Sequence, residues 1–317
     1  MTSFAFVFPG QGSQSVGMLD AWGDHPAVQS ALQEASDALH EDVAKLIHEG
    51  PKEALALTTN TQPVMLVAAV AAWRAWLAEG GAMPAALAGH SLGEYSALVA
   101  AGALTLSQAA PLVRLRAAAM QEAVPVGAGA MAAVLALPAE QVKVICEKVT
   151  EQMRAQGRHD VAEAVNFNDP GQTVIAGTKE GVEAAAAELK AAGAKRVLPL
   201  PVSAPFHSSL MKPAADKLLA ALQSIELKAP NIPVINNIDV AVVQDAAAIR
   251  DALYRQAFGP VRWVECVLAM QQRGITHVVE CGPGKVLAGM TKRISADLEA
   301  ASIFDLTTLQ ATKEFLA

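Results

Sequence analysis

Residues 87–98 read Leu87-Ala88-Gly89-His90-Ser91-Leu92-Gly93-Glu94-Tyr95-Ser96-Ala97-Leu98. An apolar run closes at Leu87-Ala88-Gly89, small residues flank a tight turn, and helical spacing resumes from Glu94 to Ala101. Strand, turn and helix in that order are the grammar of an α/β sheet. Two further strands extend it. Phe4-Ala5-Phe6-Val7-Phe8 is a short apolar run stopped by Pro9-Gly10, and His277 to Glu280 turns at Gly282-Pro283-Gly284. A helix is expected to begin near Pro63, because proline suits a first helical turn.

The rhythm changes between Met131 and Val202. Met131 to Leu137 reads as a strand, Pro138 to Gln156 as a helix and Val161 to Phe167 as a strand. After an Asn168-Asp169-Pro170-Gly171 turn come a strand at Gln172 to Ala176, a helix at Thr178 to Ala192 and a strand from Lys195 to about Leu200. That order, βαββαβ, is the ferredoxin-like unit. From Ile232 the α/β character returns. The economical account is a large α/β domain, 1–127 with 203–317, carrying a small ferredoxin-like domain at 128–202 as an insert.

Composition narrows the function classes. With 52% hydrophobic and 17% charged residues, 317 residues suffice for a sizeable core. The longest apolar stretch, Val64 to Trp73, is broken by Arg74 and falls short of the roughly 20 residues a membrane-spanning helix needs. No Lys or Arg precedes Lys45, so a basic targeting segment is not expected. Cys146, Cys266 and Cys281 are odd in number and scattered, which fits a reducing cytoplasm better than a disulfide framework. None of the seven histidines has a metal-ligand spacing, so no metal is expected. A net charge of -7 argues against non-specific nucleic-acid binding.

Gly89-His90-Ser91-Leu92-Gly93 matches G-x-S-x-G. A sharp strand-to-helix turn presents a serine hydroxyl, and the following helix N-terminus favours negative charge beside it. The alternative is an ordinary turn serine, but the strand before and the helix after supply the required context. A nucleophilic serine needs a base. His207, in Pro205-Phe206-His207-Ser208, is the candidate; read on position alone it is a surface loop histidine. His90 is its rival, although a ring adjacent to the nucleophile on a tight turn cannot easily reach back to the neighbouring hydroxyl. Pro9-Gly10-Gln11-Gly12-Ser13-Gln14 lacks the intervals of a phosphate-binding loop. It can instead aim a backbone N–H at an oxyanion, with Gln11 the natural donor and Leu92 the second.

These segments, with Met120 to Pro125, N-x-x-P-G-Q-x-V-I-A-G within Asn166 to Gly177, and Pro205 to His207, occur in one order over nearly the whole chain. The sequence resembles the malonyl-CoA:acyl carrier protein transacylases of bacterial fatty-acid synthesis. The resemblance implies a hydrolase-like large domain with a parallel sheet core, a ferredoxin-like insert and a cleft between them. It implies Ser91 as nucleophile, His207 as base, and the backbone N–H groups of Gln11 and Leu92 as oxyanion hole. It makes Arg116 the anchor of the malonyl carboxylate, and Gln256 the residue whose backbone carbonyl orients the histidine. Malonyl-CoA and acyl carrier protein are then the substrates, and no cofactor is implied.

Arg116 also has a case from its chemistry, since a planar guanidinium binds a carboxylate bidentately. The bland reading is a solvated arginine on a helix running from Ser107. Arg114 lies two positions away, on another helix face, so only one of the two should enter the cleft. Phe206 beside His207 adds bulk that resembles malonyl-selective enzymes. The acidic chain also needs local basic charge to meet an acidic carrier protein, and Lys195, Arg196, Lys285, Lys292 and Arg293 are the candidates. A loading acyltransferase of polyketide synthesis shares these motifs. A serine esterase or thioesterase would order its triad as Ser, acid, His, and no acid stands out. A non-catalytic carrier-binding protein predicts loss of the serine or the histidine, and both are present.

Overall fold

A computed structural model describes residues 2–202 and 204–317. Among the described residues nine strands form two sheets: β1 Phe4–Phe8, β2 Ala86–Gly89, β3 Gly129–Leu135, β4 Ala162–Asp169, β5 Gln172–Thr178, β6 Arg196–Pro199, β7 Val234–Ile235, β8 His277–Cys281 and β9 Glu299–Ile303. The first sheet has the order β7-β2-β1-β8-β9 and is parallel throughout.

β1 is central, and its composition follows from that place. A strand covered by helices on both faces reads as a continuous apolar run. Phe4, Phe6 and Phe8 project into the core shared with the Thr58–Ala78 helix, where the Phe6 ring meets Trp76 edge-on at 5.2 Å between centroids. Ala5 and Val7 project into the opposite core with Trp263, Val267 and Met270 of the Trp263–Gln272 helix. Each buried phenylalanine contributes about 1.5–3 kcal/mol. The carboxyl ends of β1 and β2 thus deliver the Gln11 and Ser91 loops side by side at one sheet edge, paired through Phe8↔Gly89.

The Thr58–Ala78 helix departs from expectation. Pro63 stands six residues in rather than in the first turn. The start is fixed upstream: the Leu57 carbonyl accepts the Thr61 N–H at 2.7 Å, and Thr61 Oγ1 donates to the Leu55 carbonyl at 2.6 Å. Burial of the Val64–Trp73 stretch outweighs the one backbone hydrogen bond that proline forfeits. The extra turn places Gln62 in the interior. Among the described residues no helix is long and apolar enough to cross a membrane.

The second sheet is antiparallel with order β4-β5-β3-β6. With helices Ala139–Ala155 and Lys179–Ala191 it follows the βαββαβ sequence. Both helices cover one face, packing Val142, Cys146 and Leu189 on Val134 and Ile175. The other face turns Met131, Val165 and Val174 toward Phe206. β4 is longer than expected, because Asn168 and Asp169 stay in the strand and leave Pro170-Gly171 as the turn. Register shifts at Ala164/Asn166 and Phe167/Asp169 absorb the extra residues.

Candidate active site

Ser91 has φ 53°, in the left-handed region, where a non-glycine residue costs of the order of 1–2 kcal/mol. Two flanking glycines make the turn possible. A Cβ on Gly89 would lie 1.9 Å from the Gly93 carbonyl, and one on Gly93 would lie 2.0 Å from the Phe8 carbonyl oxygen. The Gly93–Ala100 helix therefore sits directly on the end of β1, with Ser91 at its mouth.

His207 reaches across from the segment after β6. Its Nε2 lies 2.7 Å from Ser91 Oγ, and its Nδ1 lies 2.9 Å from the backbone carbonyl of Gln256. A carbonyl can only accept, so Nδ1 carries the ring proton and Nε2 is left to take one from serine. Burial first, then the nearby Arg116 charge, pushes His207 down to about 3. The imidazole is neutral at pH 7, the form a base requires. Among the described residues no carboxylate hydrogen-bonds His207, unlike the triad of a serine esterase.

Arg116, in the Leu106–Glu122 helix, is 2% exposed. Its Nη1 donates to Gln62 Oε1 at 2.6 Å, and Nη2 donates to Ser91 Oγ at 3.1 Å and to Gln256 Oε1 at 3.2 Å. All three acceptors are neutral, and Nε has no partner among the described residues. The Glu94 carboxylate favours this charge through space without hydrogen-bonding it, so a buried guanidinium whose fork is met only by neutral acceptors, beside the Ser91 hydroxyl, is suited to receive an anion. Arg114 takes the other face and pairs with Glu41 at 2.6 Å, outside the cleft.

These groups line a cleft of about 190 Å³ between the two sheets. Gln11, Ser91 and Leu92 form one wall, while Met131, Asn168 and Val174 of the second sheet form the other. Among the described residues neither the Gln11 nor the Leu92 backbone N–H is taken by an acceptor. His90 turns away from Ser91: its Nε2 lies 2.8 Å from Asn168 Oδ1 and its ring packs on Trp263.

Four participants escaped the sequence reading. Gln62 holds Arg116. Asn237 accepts the Ser91 N–H at 2.7 Å and donates to the Gly89 carbonyl at 2.8 Å. Glu94 lies beneath the turn, and Asn168 holds His90. The glutamate stood inside the quoted motif, but nothing local marks it as buried. The basic candidates are spread out. Lys195 and Arg196 are exposed at the far end of β6 from Leu200, which lines the cleft. Arg293 binds Asp169 at 2.7 Å, next to the cleft residue Asn168, and Lys292 is exposed beside it. Lys285 borders the Ser13–Ser15 loop.

Comparison with known proteins matches residues 5–306 to the acyl transferase domain family. The malonyl CoA-acyl carrier protein transacylase of Salmonella typhimurium is 53% identical over 312 residues, 98% of this chain and 99% of that one. The crystal structure of acyl-carrier-protein S-malonyltransferase from Burkholderia pseudomallei superposes with a TM-score of 0.95 at 61% identity, covering 99% of this chain and 100% of its own. A malonyl-transacylase solved in complex with its type II polyketide acyl-carrier protein gives 0.95 at 50% identity, again over 99% and 100% of the two chains.

Proposed function

The chain belongs to the acyl transferase domain family, and we propose that it carries malonyl from malonyl-CoA to acyl carrier protein through an ester on Ser91. Ser91 Oγ attacks the thioester carbonyl while His207 Nε2 takes the hydroxyl proton. The Gln11 and Leu92 N–H groups receive the developing oxyanion. Collapse expels the coenzyme A thiolate, which recovers the proton from His207, and leaves malonyl-Ser91. The pantetheine thiol of the carrier protein then repeats the sequence in reverse, yielding malonyl-carrier protein and free Ser91. Malonyl-CoA is a substrate, and no cofactor enters the scheme. The Gln256 carbonyl keeps His207 in the required tautomer. Met131, Val174 and Phe206 give the cleft an apolar wall that disfavours water at the ester.

One observation carries this reading: Arg116 is buried against Ser91 with only neutral hydrogen-bond partners. The free carboxylate of a malonyl group supplies the anionic acceptor that none of those hydrogen-bond partners provides. Intact-protein mass spectrometry after incubation with malonyl-CoA tests it. A malonyl adduct that added carrier protein removes is the expected result, and hydrolysis without transfer would favour a thioesterase. The division into 1–127 with 203–317 and 128–202 is part of the proposal, supported by the separate core beneath the second sheet. Fatty-acid synthesis is the natural destination of the product, and a reducing cytoplasm suits three free, buried cysteines. The polyketide carrier complex at 50% identity keeps that second destination in view; the chemistry is identical, and relative kcat/KM with the two carrier types distinguishes them.

Two expectations follow for selectivity and docking. Phe206 lines the cleft beside His207, so an α-methyl branch should collide there. Methylmalonyl-CoA is expected to be a poor substrate, and Phe206→Ser to narrow the gap. Comparable wild-type turnover of both would refute this. Carrier-protein docking is expected to use local cations against the repulsion between two acidic molecules. That repulsion is screened beyond about 8 Å near physiological ionic strength. Charge reversal of Lys195 with Arg196, or of Lys292 with Arg293, should raise the carrier-protein KM several-fold and affect acylation by malonyl-CoA less. If neither pair moves that KM, docking lies elsewhere.

A further inference from the structure

We infer that Glu94 is a positioning residue of the transfer site: one of its carboxylate oxygens, shared by Asn237 and Gln256, holds the two residues that clamp Ser91 and orient His207. The inference rests on the proposed roles of Ser91 and His207.

Glu94 occupies the first turn of the Gly93–Ala100 helix and is 2% exposed. Its Oε2 accepts the Asn237 backbone N–H at 2.9 Å and the Gln256 side-chain amide at 3.0 Å. The Asn237 side chain then reaches both sides of the turn, to the Ser91 N–H and the Gly89 carbonyl. The Gln256 amide also donates to the Ser91 carbonyl at 2.9 Å. Both polar groups of the left-handed Ser91 peptide are thus gripped by side chains tied to one oxygen atom. Gln256 extends the same anchor further, since its backbone carbonyl holds His207 and its Oε1 holds Arg116. Nucleophile, base and carboxylate anchor come from three distant stretches of chain and converge on this joint. Glu94 bonds neither Ser91 Oγ nor His207, so its effect passes through the residues it holds.

Both bonds to Glu94 Oε2 come from N–H donors, so the site needs an acceptor oxygen at this point. Burial raises the Glu94 carboxyl to about 7, against the pull of the Asn237 N–H, the Gln256 amide and the Arg116 charge. A neutral carboxamide, whose oxygen accepts in the same place, should serve nearly as well.

The experiment measures kcat and KM for malonyl transfer, with melting temperature and circular dichroism, on wild type, Glu94→Ala and Glu94→Gln. Misplacing reacting groups by about 1 Å costs up to ~10²-fold in rate. Glu94→Ala is therefore expected to lose about 10- to 100-fold in kcat with KM for malonyl-CoA changed less than about threefold, and Glu94→Gln to recover to within about fivefold of wild type. A merely structural role would not give a kcat-only loss restored by the amide. Wild-type kcat in Glu94→Ala overturns the inference, and so does a loss that Glu94→Gln fails to restore. Should Glu94→Ala not fold, Glu94→Asp withdraws the acceptor by one methylene; kcat must then drop at least about fivefold, and wild-type kcat again overturns the idea. Ser91→Ala in the same series separates the premises. An adduct on that variant defeats the Ser91 assignment, whereas a dead Ser91→Ala beside fully active Glu94 variants defeats only the role of Glu94.

Discussion

Ser91→Ala is expected to form no covalent malonyl adduct at any concentration of malonyl-CoA. The hydroxyl sits on the left-handed turn, 2.7 Å from a neutral imidazole and 3.1 Å from a guanidinium, at the mouth of a helix. Among the described residues no other hydroxyl in the cleft combines those neighbours. Intact mass after a minute of incubation decides it, and a malonyl adduct on the variant sinks the assignment. His207→Ala should keep the nucleophile but slow acylation by at least roughly 10²-fold, the scale of a lost general base. The pH dependence is a second handle. Because His207 is held at about 3 by burial and Arg116, it remains neutral far below the usual histidine range. The acid limb of kcat/KM should accordingly fall well below pH 6. A limb at pH 6.5 that disappears in His207→Ala would mean that the imidazole is not desolvated as the structure has it.

Arg116→Ala should damage malonyl transfer roughly 10- to 150-fold more than acetyl transfer, the equivalent of one charge-assisted hydrogen-bonded contact worth about 1.5–3 kcal/mol. Both substrates need Ser91, His207 and the oxyanion donors, so the ratio isolates carboxylate binding. The substitution also leaves Gln62 and Gln256 without a shared donor, which should lower both rates in common. Equal losses for malonyl and acetyl would reassign Arg116 to the support of Gln256 and the nucleophile turn. Arg116→Lys is expected to recover little, since a point charge cannot reproduce the planar fork.

Part of this molecule was legible from local sequence because local chemistry suffices to specify it. Gly89 and Gly93 admit no side chain where the turn meets β1, so a serine between them on a strand-to-helix junction reads directly as an exposed hydroxyl. The uninterrupted Phe4–Phe8 run, stopped by Pro9-Gly10, reads as a buried strand, and the βαββαβ order emerged from the succession of periodic segments and turns. Arg116 and Gln256 were located by likeness to a family. Nothing in their own surroundings distinguishes them from other helical residues.

The misreadings lie where tertiary packing overrode a local rule. Pro63 was expected to start a helix, yet the buried Val64–Trp73 face and the hydrogen bonds around Leu57 pulled the helix start upstream. Asn168 was expected in a turn, but Phe167 and Asp169 on either side pair with β5 and keep it in β4 at a register shift, where it meets His90. Sequence by itself determined most of the elements, the Gly89–Gly93 serine turn and the strand termini that present it. The tertiary structure alone decided which residues close around that turn. Gln62 lies 54 positions from Arg116, and Asn237 lies 146 from Ser91. Periodicity records which face of an element is buried, while the partner across the interface is chosen by how separate elements pack.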